Sequence, residues 1–96
     1  MKADQILKTI QNINFYFNIA LKDIDVLSNN CFMFSFDKSK IMLEVLPKGC
    51  SAEVMGDMRG VYEGETIEEL YVQIQRDMLN DFVQLDLFAK APRRGI

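Results

Sequence analysis

Apolar residues recur at intervals of three and four through the first twenty positions, where Ile6, Ile10, Ile13, Phe17 and Leu21 fall on one face of a helix. From Ile13 onward the same stretch also alternates, with Ile13, Phe15, Phe17, Ile19 and Leu21 apolar and Asn14, Asn18 and Lys22 polar. The helical period starts at Ile6 and meets no Gly or Pro, so it favours a helix to about residue 20, with a short helix followed by a strand as the alternative. Asp23 to Asn30 alternates briefly and ends in side chains that hydrogen-bond their own backbone, which suits an edge strand ending at Ser28.

The period then becomes two. Phe32, Phe34 and Phe36 project to one side and Met33, Ser35 and Asp37 to the other, and after a four-residue turn over 37–40 the residues Ile41, Leu43 and Val45 alternate with Met42 and Glu44. These runs predict a β-hairpin whose aromatic face needs a core. Pro47-Lys48-Gly49 interrupts the sheet, and a weaker alternation follows, with Cys50, Ala52 and Val54 against Ser51, Glu53 and Met55. Gly56 to Gly60 reads as a turn, and Val61-Tyr62-Glu63 as a short further strand. Thr66 then stands three residues before Glu69, the spacing of a capping box. Beyond it Ile67, Leu70, Tyr71, Ile74, Met78, Phe82 and Leu85 form a helical stripe, with a thinner row of Val72, Leu79, Val83 and Leu87 to its side.

The simplest assembly is an α+β fold in two layers. A three- to four-stranded antiparallel sheet carries an N-terminal and a C-terminal helix on its phenylalanine-rich face. A chain of 96 residues has surface for one core, so residues 1–90 read as one domain and 91–96 as a flexible basic tail. On the opposite sheet face the alternation leaves Met33, Met42 and Met55 with Glu44 and Glu53. Unbranched thioethers repack against varied partners, so these five residues, with Val72, Leu79, Val83 and Leu87, are the expected partner-binding surface.

Composition narrows the chemistry more than it suggests any. The chain has no histidine, which removes the usual general base, the switch that titrates near neutrality and the commonest transition-metal ligand. Cys31 and Cys50 lie nineteen apart with no Cys-x-x-Cys pair, so they read as reduced thiols in a cytoplasmic protein, and neither a metal nor another cofactor is expected. Apolar runs are too short to span a bilayer, and no secretory signal is evident. Glu63, Glu65, Glu68 and Glu69 crowd the second helix start, where acids favour the helix dipole. No glycine pattern cradles a phosphate, and an enzyme would have to rest on carboxylates with Tyr16, Tyr62 and Tyr71. We expect none.

The run Gly64-Glu65-Thr66-Ile67-Glu68-Glu69-Leu70 resembles the strand-to-helix junction of the HicB family of antitoxins. The resemblance covers under a tenth of the chain and includes neither that family's strand pattern nor its DNA-binding module, so it implies no function here. In type, a compact acidic α+β chain is similar to accessory and inhibitor proteins of phages and mobile elements. The expected function is that of a non-enzymatic, self-associating module, a homodimer, that acts stoichiometrically on a partner protein. The alternative is a nucleic-acid-associated factor using Phe32, Phe34, Phe36 and the basic segment from Lys90 to Arg94, although a net charge of −3 with scattered cations disfavours it.

Overall fold

The computed structural model describes the backbone of residues 3–56 and 59–90 and the side chains of residues 3–56 and 59–79. Helix α1 (Ala3–Phe17) leads through one 3-10 turn (Leu21–Asp23) into strands β1 (Asp25–Ser28), β2 (Cys31–Phe36), β3 (Ser39–Val45), β4 (Cys50–Gly56) and β5 (Gly60–Gly64), and helix α2 (Ile67–Lys90) follows. Each strand pairs antiparallel with its neighbour in chain order. The α+β sandwich therefore has five strands rather than three or four, because both short edge stretches join the ladder. The expected basic tail lies outside the described residues.

Local chemistry explains where each element stops. α1 ends at Phe17, before the expected residue 20, because Asn18 turns into the left-handed region at φ 57°. Asparagine tolerates that conformation better than most residues. The Asn14 side-chain amide then donates to the Ile19 carbonyl at 2.7 Å, which ties the departing chain back to the last helical turn. Residues 19 and 20 thus leave the helix without starting a strand, and the helical reading holds for Ile13 to Phe17.

The hairpin turn is tighter than the four residues expected. Phe36 pairs with Ser39, so only Asp37 and Lys38 form the loop, while Ser39 and Lys40 belong to β3. Both loop residues have positive φ, 50° and 69°, the type I′ geometry whose twist matches the flanking strands. Between β3 and β4 the turn closes when the Leu46 N–H donates to the Gly49 carbonyl at 3.0 Å. Gly49 has φ 82°, and a Cβ there would stand 2.5 Å from the Gly64 carbonyl oxygen. Only glycine fits.

α2 opens as its sequence suggests. The Thr66 hydroxyl accepts from the Glu69 N–H at 3.2 Å, and the Glu69 carboxylate accepts from the Glu65 N–H at 3.2 Å, one residue ahead of the usual capping-box position. Ile67, Leu70 and Ile74 are buried and Tyr71 and Met78 half-buried, so the main stripe faces the sheet. From β5, Tyr62 donates its hydroxyl to the Asp77 carboxylate at 2.9 Å, and the Gln73 amide donates to the Glu63 carbonyl at 2.9 Å. These two bonds set how α2 lies along the sheet edge.

The core is one layer deep. Ile13 and Phe17 from α1 meet Phe32, Phe34, Ile41, Leu43, Cys50, Ala52 and Val54 from the strands and Leu70 and Ile74 from α2. Phe17 sits at the junction, its ring centroid 5.0 Å from Phe34, 5.1 Å from Phe36 and 5.1 Å from Tyr71. One side chain thereby joins both helices to the hairpin, in the tilted and edge-on arrangements that aromatic rings favour.

Candidate functional site

Both helices bury their apolar stripes against the same side of the sheet, so among the described residues the other side has no helix over it. Strand pairing determines which side chains meet there. Met33 pairs with Met42, Met42 with Glu53 and Glu53 with Val61, while Asp25 closes the row beside Met33. One step along the strands, Cys31, Glu44, Ser51 and Glu63 form a second row. In the opposite direction Lys40 pairs with Met55, beside Ser35.

Burial agrees with this register. Met33, Met42 and Met55 are half-buried among their neighbours, Glu44 and Glu53 are exposed, and Val61 is 71% exposed. Every charged residue within the five strands lies on this open face: Asp25, Glu44, Glu53 and Glu63 against Lys40. The result is a mixed face on which Met33 and Met42 lie among carboxylates and Met55 lies beside Lys40.

The structure thus gathers five of the expected partner-binding residues on one surface and separates them from the others. Val72 and Leu79 are 48% and 59% exposed, but they belong to α2, which packs on the far side of the sheet. The side chains of Val83 and Leu87 lie outside the described residues. Asp25, Val61 and Glu63 join the open face from the edge strands and were missed in the sequence. Their only signal was the alternation of two short segments, and without pairing partners it could not be placed.

A groove of about 630 Å³ lies where the end of α1, the hairpin and α2 converge. Tyr16, Phe36, Tyr71 and Leu79 line it, and Asp37 is the one ionisable acid at its rim among the described residues. Its residues come from three distant parts of the chain, which is why sequence reading did not find it. The Asp37 carboxylate shares the groove with the Tyr16 and Tyr71 phenols.

The remaining candidate chemistry resolves into local roles. Of the four clustered glutamates, Glu69 caps α2, and the Glu63 backbone carbonyl anchors Gln73. Cys31 lies on the open face and Cys50 faces the core, so the sheet separates the two thiols. Burial raises the Cys50 thiol pKa above its ordinary value, and the negative charge of Glu69 adds to the shift. Desolvation raises Cys31 too, with a further contribution from Glu44. Among the described residues no group of three or more Cys, Asp or Glu is placed to hold a metal ion, and no helix is long and apolar enough to cross a membrane. Comparison with models of known protein families, with curated proteins and with solved structures finds no match to this chain.

Proposed function

We propose that this protein is a non-enzymatic binding module that acts stoichiometrically on a partner protein through the open face of its sheet. One observation carries the reading: the strands present Met33, Met42 and Met55 on a face that, among the described residues, no helix covers. Methionine adapts its shape to what it touches, and apolar side chains set among charged ones suit a protein interface. Recognition on this face is by side chains. The two unpaired thiols favour a reducing compartment, and on that ground we place the protein in the cytoplasm.

Self-association is a second part of the proposal and uses a different surface. Val72 and Leu79 form an exposed apolar row on α2, suited to a second copy packing helix against helix. The nucleic-acid alternative has less to rest on. Phe32 and Phe34 are 0% and 1% exposed, so the hairpin offers their rings to the core and not to bases.

The test compares the tagged protein with a Met42→Asp variant matched in thermal midpoint, each used to capture partners from its native host. A partner that purifies with the parent near a one-to-one ratio and is lost from the variant supports the reading. A partner held equally by both refutes docking on this face. Light scattering that shows a strict monomer up to millimolar concentration would remove the self-association.

A further inference from the structure

Resting on that docking reading, we infer that the occupant of the open face is a cationic amphipathic helix of another protein, one that sets an apolar stripe on Met33, Met42 and Met55 and holds Lys or Arg over the surrounding acids. The argument begins with charge. The strand residues of this face carry four carboxylates and one ammonium, a sum of −3. Among the described strand residues the charge therefore lies wholly on the face turned away from the helices, and it is mostly negative.

That distribution selects among occupants. A second copy docking face to face would oppose −3 with −3, and like charges brought together at an interface are strongly unfavourable. Nucleic acid and anionic lipid surfaces are repelled for the same reason. A partner with cations around an apolar centre gains both steering on approach and pairing at the rim. The face is also the right size for a helix. Strands of seven residues span about 23 Å at ~3.3 Å per residue, and a helix of about 15 residues covers that length at ~1.5 Å per residue. α1, with 15 residues, covers the opposite face on the same scale.

The test uses two synthetic helical peptides of about 15 residues, one with a leucine stripe flanked by lysines and one with the same stripe flanked by glutamates. Binding is read by NMR of the methionine methyl groups, with Met78, half-buried under α2 on the far side of the sheet, as the internal reference. The Leu/Lys peptide is expected to shift Met33, Met42 and Met55 but not Met78. Its affinity should fall about tenfold or more between low and high salt as the screening length shortens, and by a similar factor in the doubly substituted Glu44→Lys, Glu53→Lys protein. Equal or better binding of the Leu/Glu peptide overturns the inference while leaving the docking reading intact. Shifts that grow with protein concentration alone make the occupant a second copy and also overturn it. If neither peptide moves the open-face methyls at millimolar concentration, the inference and the docking reading fall together.

Discussion

Replacing Phe17 by alanine tests the packing of the whole molecule, and replacing Phe15 provides its control. Phe17 is 2% exposed and touches three rings, whereas Phe15, two residues away on the same helix, is 75% exposed and meets only the edge of Tyr16, at 4.9 Å. Removing a buried phenylalanine costs about 3–5 kcal/mol in lost transfer energy and residual cavity. The three ring contacts place Phe17→Ala toward the upper end of that range. A domain of this size is stable by about 5–15 kcal/mol, so the variant should lose a third or more of its stability. Phe15→Ala should stay within about 0.5 kcal/mol. Urea unfolding followed by circular dichroism measures both, and the slope with denaturant should be unchanged in the control. If Phe17→Ala does not fold, Phe17→Leu, which keeps most of the volume, should cost about 1.5 kcal/mol. Equal losses at positions 15 and 17 would refute the reasoning, because two residues that share a face two apart belong to a strand and not to a helix.

Lys38→Gly should stabilise the protein by about 0.5–1 kcal/mol, since lysine at φ 69° bears a left-handed strain that glycine lacks, and the thermal midpoint will show it. Gly49→Ala should destabilise by more than about 2 kcal/mol, because its Cβ would stand 2.5 Å from the Gly64 backbone oxygen, and urea unfolding measures the loss. Iodoacetamide should modify Cys31 before Cys50 in the native state, with Cys50 reacting only on unfolding, as mass spectrometry of the labelled peptides will record. Both thiols react as thiolates and both have raised pKa values, so native labelling of Cys31 should be slower than that of a free thiol at neutral pH and should speed up as pH rises.

The parts of the fold legible in the sequence were those whose signal is local. The capping residues Thr66 and Glu69 and the stripe from Ile67 to Met78 marked α2, and the three alternate phenylalanines marked β2 and its buried side. The strand count was not legible. β1 is four residues long, fully exposed and bulged between Val26 and Ser28, and it exists as a strand because β2 pairs with it. The hairpin turn was read too long because Asp37-Lys38 lacks the glycine that usually marks type I′ geometry, and the end of α1 was misplaced because asparagine, not glycine, takes the left-handed position. In the site, alternation alone identified Met33, Met42, Met55, Glu44 and Glu53, whereas Asp25, Val61 and Glu63 required the register.

That register also separates the core of this chain from the face proposed for docking. Along β2 the residues Phe32 and Phe34 are buried and Met33 and Ser35 face the other way, so a slip of one residue would turn the phenylalanines into solvent and the methionines into the core. The pairing is held at its ends by Asp37 and Lys38 in the hairpin and by Gly49 against Gly64, all of them away from the open face. Substitutions among Met33, Met42, Glu44 and Glu53 therefore leave the elements that set the register untouched, and substitutions at the turns disturb both faces at once. A sheet built this way can vary its open face while its core stays constant, provided the two turns do not change. The period of two that packs the phenylalanines is the same period that gathers the methionines.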